Sequence, residues 1–543
     1  MDQVQHNLWT VFEAVAAVVP DRPNMVWRGA TRTYAETSER SRRLANVIAG
    51  AGLGWHRDRS ALAPWEAGQD LIGLYLYNGP EYIEGTLGGY AARAAPFNIN
   101  YRYVADELAY LFDDADMAGL VFHARFAPVL ADVLTRIKNR PRLLLQVADE
   151  SGQPLLEGAI DYEAALASAS PELSVSGHHP DDLYVLYTGG TTGMPKGTLW
   201  RQADIWGAAI GILQGEADLD TVVQAAGEGG SRFLPNAPLM HGAAQWLGMN
   251  AVIVGGTLVI NDVVDRLDPR EVWTTVEREG VQAMLMVGEA FARPLLAELE
   301  RTAYDASSLI LIAVGGAVTS PETKERLTEL LSDVLILDAA GASETGSGLQ
   351  SVSAKGATAE RAVFQAGPTT AVLSEGLDRV LAPGDEEMGW FAKYGRIPLG
   401  YLGDRAKTEK TFPVVDGTRW SVPGDRARLR PDGMVELLGR DSVTINTGGE
   451  KVFAEEVEQA LLLHRAVVDA VVVGRPSDRW GSEVVAIISL DGDATDADIL
   501  ATAAGRLARY KLPKVIVRVP EMVRSPAGKA DYRWARDLAV GAG

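Results

Sequence analysis

The sequence predicts an α/β protein: a large N-terminal domain of β-sheets layered with helices, assigned to 1–439, followed by a small α+β C-terminal domain, 440–543. Three observations lead there. The chain has 543 residues and 47% hydrophobic content, too long for one ordinary domain and able to bury more than one core. From about Leu71 onward, short apolar runs alternate with helical stretches, the pattern of sheets covered by helices. After the turn-rich stretch Gly439-Arg440-Asp441-Ser442 the pattern becomes a compact set of elements, so that stretch is the expected boundary.

In chain order, Leu71-Ile72-Gly73-Leu74-Tyr75-Leu76 and Gly119-Leu120-Val121-Phe122 read as buried strands, with a helix over 105–111 between them. Residues 183–187 read as another strand. The apolar run Ala251-Val252-Ile253-Val254 is counted among the strands. The long uncharged stretch around it, 236–261, reads as buried core and not as a membrane span, because Pro238, His241, Gln245, Asn250 and Gly255-Gly256 interrupt it. Residues 309–314 and 334–337 complete the strands of the large domain. The small domain is expected to contain helices over 455–464 and 496–510 and strands over 466–473, 483–490 and 515–519.

Composition narrows the chemistry. A net charge of -21 and a pI near 4.9 argue against nucleic acid or an anionic membrane surface as the main partner. The charge is uneven, however: Arg506, Arg509, Lys511, Lys514, Arg518, Arg524, Lys529, Arg533 and Arg536 crowd the C-terminal end, which suits a polyphosphate or, taken alone, a solvated basic face. There is no cysteine, so disulfides, thiolate metal sites and cysteine nucleophiles are excluded. The first residues lack a basic segment followed by an apolar one, so a cytoplasmic protein is expected. Composition does not fix the oligomeric state, and a homodimer stays open.

The most informative segment is Tyr187-Thr188-Gly189-Gly190-Thr191-Thr192-Gly193-Met194-Pro195-Lys196-Gly197. Its glycines let backbone N–H groups turn toward an anion, its threonines add donors, and Lys196 supplies the matching charge. It is not a P-loop, because Lys196 follows Pro195 and precedes Gly197, and its glycine rhythm is not that of a dinucleotide fingerprint. Downstream, His241 stands among apolar residues, where a lone histidine is ordinarily a hydrogen-bonded core residue. Gly315-Gly316-Ala317 offers a bare backbone that a flat ring can approach. In Asp338-Ala339-Ala340-Gly341-Ala342-Ser343-Glu344 a carboxylate beside hydroxyls suits Mg²⁺, a hard cation that takes one or two carboxylates plus phosphate oxygens.

Together these segments, with Trp420-Ser421-Val422-Pro423-Gly424-Asp425, Gly439-Arg440-Asp441-Ser442, Ile445-Asn446-Thr447-Gly448-Gly449-Glu450-Lys451 and Arg524-Ser525-Pro526-Ala527-Gly528-Lys529, resemble the adenylate-forming superfamily of acyl-CoA synthetases, luciferases and adenylation domains. The likeness runs from roughly Leu71 to Tyr532 and includes Ala95-Pro96-Phe97-Asn98-Ile99-Asn100. It implies ATP, Mg²⁺ and coenzyme A as ligands and a small domain that is mobile. By resemblance Thr188, Gly189, Gly190, Thr191, Thr192 and Gly193 cradle phosphate, and Glu344 with Thr188 holds the metal. Gly315, Gly316, Ala317, Asp338, Ala340, Gly341 and Ser343 flank the adenine, His241 adjoins the acyl site, and Asp425 with Arg440 takes the ribose. Ser442 occupies the hinge position, Gly448, Gly449 and Lys451 approach the thiol's tunnel, and Lys529 is catalytic alongside Lys196, Glu344 and His241. The sequence departs from the family where Ala340 replaces an aromatic residue, Ser343 a threonine and Pro423 a threonine, so stacking of adenine on an aromatic does not carry over.

The implied reaction joins a hydrophobic carboxylic acid, a steroid side-chain or long-chain fatty acid, to coenzyme A through an acyl-adenylate. Gly448-Gly449-Glu450-Lys451 resembles acyl-CoA ligases, and other segments look like actinobacterial ligases for steroid side-chain and fatty acids. Small residues at Ala317, Ala340 and Ala342 are compatible with a roomy apolar pocket. Two other readings stay open: an acyl-AMP ligase serving a separate carrier protein, and a nucleotide-binding homologue without catalysis.

Overall fold

The computed structural model describes residues 4–189, 194–316, 319–331, 333–360, 362–447, 450–477, 481–524 and 530–541. A five-stranded parallel sheet orders Ala95–Asn98, Leu71–Tyr75, Gly119–His123, Leu143–Val147 and Ile160–Asp161. A 15-stranded sheet runs in parallel register from Pro23–Trp27 through Thr257–Val259, Arg232–Pro235, Ala283–Met286 and Leu311–Gly315 to Leu335–Ala342. It then turns antiparallel at Gly346–Ser353 and continues into Val363–Ala366, Val435–Arg440 and Asp425–Leu429. Parallel strands need helical crossovers that cover their faces, which explains their unbroken apolar character.

Local sequence sets the element ends. Helix Pro269–Glu279 begins with the Asp268 side chain accepting from Glu271 N and with Pro269 in its first turn. It stops at Gly280, whose φ of 60° is left-handed. Val272, Trp273 and Val276 form its buried face.

The last part of the chain builds its own core, in which Val452, Val457, Val471, Val485, Ile487, Ile499 and Ala535 are all buried. Strands Val467–Ser477, Gly481–Leu490 and Val515–Arg518 form one sheet, with helices Ala454–Leu461, Asp496–Ala504 and Tyr532–Gly541.

Three sequence expectations shift. Ala251-Val252-Ile253 belong to helix Gly242–Ile253 and not to a strand; all three are fully buried, so the helix shows no polar face and its period is hidden. The helix expected over 496–510 ends at Ala504, where Gly505 follows. The strand at Leu335 runs on to Ala342, so Asp338 sits within it and not at a turn. Among the described residues, no helix is long and apolar enough to cross a membrane.

Candidate active site

Strands Leu183–Thr188 and Lys196–Arg201 pair antiparallel, with Thr188 opposite Lys196, so the glycine-rich segment is the connection of a hairpin. Buried Asn98 anchors that hairpin. Its Nδ2 donates to Tyr187 O at 2.8 Å and to Met240 O at 2.7 Å, while its Oδ1 accepts from Tyr187 N at 2.8 Å. One amide thus ties the strand end to the segment before His241, which stands at the N-terminus of helix Gly242–Ile253. Lys196 Nζ lies 3.3 Å from Asp114 and 3.7 Å from Asp404. Partial burial draws its pKa down, but the Tyr110 hydroxyl and Asp114 outweigh this, so the ammonium is held charged.

A chain of hydroxyls leads from this hairpin to Glu344. Thr188 Oγ1 and Ser343 Oγ are 2.9 Å apart, and Ser343 Oγ donates to Glu344 Oε2 at 2.9 Å. The Tyr401 hydroxyl donates to Oε1 at 2.5 Å. The main chain around Glu344 is pinned as well: Ser421 Oγ donates to Glu344 O at 2.6 Å and Trp200 Nε1 to Ser343 O at 2.9 Å. Lys393 Nζ donates to Thr345 O at 2.8 Å and to Ser347 O at 2.7 Å, and burial pulls its pKa down to about 8. Glu344 keeps acceptor capacity beyond these two hydrogen bonds, with the Thr188 hydroxyl close by. Such a donor set fits Mg²⁺, which keeps waters and takes one or two carboxylates plus phosphate oxygens. Among the described residues no group of three His, Asp or Glu forms a closed metal cage.

Asp338 lines the cavity between the two domains, together with Lys324. Its carboxylate pairs with buried Lys324 at 2.9 Å, and burial, partly offset by that lysine, raises its pKa. A structural ion pair occupies it.

Asp425 and Arg440 face each other across adjacent strands, and Arg440 Nε donates to Asp425 Oδ1 at 3.2 Å. Both line a cavity of about 640 Å³ between the large and small domains, together with Gly189, Gly316, Ala340 and Gly341. The small domain contributes Glu455, Glu458, Arg524, Ala530 and Tyr532 to its opposite wall. Asp425 on one side and the bare backbone of Gly316 and Gly341 on the other make a wall suited to a ribose and a flat ring.

A second surface starts beside this wall. Gly315 pairs with Ala339, and a Cβ at Gly315 would lie 3.7 Å from Ala243 on helix Gly242–Ile253. Because strand side chains alternate, Ala339, Leu337 and Leu335 share that face with Ala313 and Leu311, and Val352 pairs with Leu337. Leu335 is 48% and Val352 54% exposed, so an apolar sheet face leads away from the polar site toward solvent.

Gly190, Thr191, Thr192, Gly193, Ala317, Gly448, Gly449, Lys529 and the side chains of Lys451 and Ser442 lie outside the described residues. The C-terminal basic cluster is less bare than its composition suggests: Lys511 pairs with Glu456, Arg518 with Asp496 and Arg524 with Asp469. Asn98, Asp114, Tyr401 and Ser421 take part in the site although the sequence assigned them no role. The available signal was polarity inside an apolar strand, as at Asn98.

Comparison with known proteins agrees with this geometry. The family model described as AMP-binding enzyme matches residues 12–373, and that of the AMP-binding enzyme C-terminal domain matches 456–529. The medium-chain acyl-CoA ligase Mig of Mycobacterium avium is 54% identical over 538 residues, covering 98% of each chain. The 3-oxocholest-4-en-26-oate–CoA ligase of Rhodococcus rhodochrous is 39% identical over 555 residues, covering 98% of this chain and 95% of its own. The crystal structure of the anthranilate CoA ligase AuaEII in complex with anthranoyl-AMP superposes with a TM-score of 0.82 at 19% identity, over 99% of this chain and 98% of that one. With the first model matching most of the chain and a relative sharing over half its residues nearly end to end, the chain belongs to the AMP-binding enzyme family.

Proposed function

We propose that this protein is an AMP-forming acyl-CoA ligase that activates a hydrophobic carboxylic acid. In the first half-reaction the carboxylate oxygen attacks the α-phosphorus of ATP and pyrophosphate leaves. In the second, the thiol sulfur of coenzyme A attacks the acyl carbonyl, AMP leaves with the bonding pair, and the thiol proton passes to solvent. No covalent enzyme nucleophile is required, in keeping with a chain that lacks cysteine.

The observation that carries the reading is the hydroxyl chain from Thr188 through Ser343 to Glu344, set between the glycine-rich hairpin and the Asp425–Arg440 pair. Two anions meet in the first step, so the protein's task is to place positive charge and donors where charge develops. Lys196 serves the phosphates from the hairpin, Asp425 accepts from the ribose hydroxyls, and Lys529 stabilises the transition state. Magnesium, when bound through Glu344 and the Thr188 hydroxyl, neutralises phosphate charge. Gly448, Gly449 and Lys451 serve the thiol half-reaction after the small domain rotates.

The apolar face from Ala339 to Leu335 supports an acid with a hydrophobic tail. A medium-chain aliphatic acid is favoured by the relative at 54% identity, and a steroid side-chain acid is the second reading, favoured by the relative at 39%. A cytoplasmic location and a homodimeric state belong to the same proposal.

The test is acid-dependent pyrophosphate release from ATP and Mg²⁺, with and without coenzyme A, across aliphatic, aryl and steroid side-chain acids. Release with formation of AMP and acyl-CoA, lost in Lys529→Ala, is the expected result. Adenylate accumulating despite coenzyme A would indicate a carrier-protein acceptor, and absence of release with every acid would overturn the reading.

A further inference from the structure

Helix Ala454–Leu461 belongs to the small domain: Ala454, Val457, Ala460 and Leu461 face its core. Glu455, in the first turn, points the other way. Its Oε2 comes within 2.6 Å of where a Cβ on Gly439 would stand, and its own Cβ within 3.1 Å. That approach is open only to a bare backbone, and Gly439 also has a φ of 112°, where other residues are strained. The next residue, Arg440, holds Asp425 at 3.2 Å. The Arg440 guanidinium is favoured in its charged form first by Asp425, and also by Glu344 and Glu455, against the cost of burial. One cation therefore serves three carboxylates, two from the large domain and one from the small.

We propose that Glu455 is a positioning residue for the first half-reaction: its carboxylate docks the small domain on Gly439 and Arg440, holding the wall that bears Arg524 and Ala530 opposite Asp425. This rests on the ligase reading above. The contact joins the two domains in this arrangement, and a rotation of the small domain would carry Glu455 away from Gly439. Nearby in the cavity wall, Arg524 is engaged by Asp469, and Glu458 is pushed up to about 8 by burial and then by Glu455. The Glu455 carboxylate lies on the side of its helix that faces Gly439, next to the Arg440 guanidinium that also orders Asp425. Losing it removes an attraction between domains while leaving the residues that contact substrate in place.

The two half-reactions separate this role from a general structural one. In Glu455→Gln, acid-dependent pyrophosphate release should fall tenfold or more, while transfer of the acyl group from added acyl-adenylate to coenzyme A stays within twofold. Glu456→Gln is the control, since Glu456 pairs with Lys511 inside the small domain at 2.7 Å; it should change neither step. Small-angle scattering reads docking without turnover and should show Glu455→Gln more extended than wild type. Equal loss in both half-reactions, an effect matched by Glu456→Gln, or unchanged half-reactions with unchanged scattering would overturn the proposal. Absence of release from wild type would defeat the ligase reading instead, and the scattering comparison would still decide whether Glu455 docks the domains.

Discussion

The Tyr401 hydroxyl donates to Glu344 Oε1 over 2.5 Å, while Ser343 holds Oε2 from the other side. Tyr401 reaches this position because strand Gly400–Tyr401 adds to the glycine-rich hairpin, with Tyr401 opposite Thr198. Burial, and then the adjacent carboxylate, raises the pKa of the phenol, so it remains a donor throughout the neutral range. Tyr401→Phe removes one hydrogen bond to a carboxylate, which corresponds to roughly 1.5–3 kcal/mol in favourable settings. The expected outcome is a slower first half-reaction that needs more magnesium, with Glu344 reoriented rather than lost. A magnesium titration of pyrophosphate release checks it; an unchanged half-saturating concentration would show that Tyr401 does not position Glu344 for a metal.

Gly341 is a second support for Glu344. It lies at a register shift between the strands on either side of the Glu344 turn, and a Cβ there would overlap Gly346 O on the facing strand. Backbone cannot move aside as a side-chain tip can, so Gly341→Ala should destabilise by about 1–3 kcal/mol and displace the turn. Both the thermal midpoint and pyrophosphate release should fall. A variant with a native midpoint and native release would show that the strands relax at no cost.

Lys393 links the same turn to pH. Its folded-state pKa of about 8 lies below the ordinary 10.5 because burial disfavours the ammonium. Between those values the unfolded chain binds the proton and the folded one does not, so this group makes stability rise with pH. Buried tyrosines such as Tyr82 and Tyr184, raised by burial, act in the opposite sense as the pH approaches ten. The comparison is therefore wild type against Lys393→Met over about pH 8 to 9.5, where wild type should gain up to roughly 2 kcal/mol relative to the variant. Parallel stability curves would show that the lysine stays charged in the folded state.

Parts of this site were legible in the sequence because they depend on local chemistry. The glycines before Lys196 and the Ser343-Glu344 pair stand out by residue type alone, and the strands at Leu71 and Gly119 by their apolar runs. What was hidden depends on distant contacts. Nothing near Tyr401 announces that its hydroxyl meets Glu344, because the strand carrying it joins the hairpin from two hundred residues away. Helix Gly242–Ile253 was misread at its end because burial on every side erased its helical period. The ion pair of Asp338 was hidden as well, because its partner, Lys324, lies on a helix whose sequence gives no sign of the pairing.

The apolar face from Ala339 to Leu335 makes a claim about substrate that one residue can test. Ala313 is half-buried, shares the face of Leu311 and Gly315, and packs against the apolar cluster of Ala237, Ala244, Leu285 and Val287, which Ala243 and Leu247 also adjoin. If the acyl tail lies along this face, Ala313→Phe fills space that only the longer or bulkier acids use. Such acids should lose at least tenfold in kcat/KM, about 1.4 kcal/mol, whereas the shortest accepted acids should change less than threefold. The change belongs in a length series because a uniform loss would mean a disturbed fold, and a loss confined to the shortest acids would mean that the tail takes another route. Steady-state kcat/KM across straight-chain and ring-bearing acids, with the thermal midpoint as control, distinguishes the three. A selective loss for long and ring-bearing acids would identify the half-exposed strand face at Leu335 and Val352 as the outer end of the acyl channel.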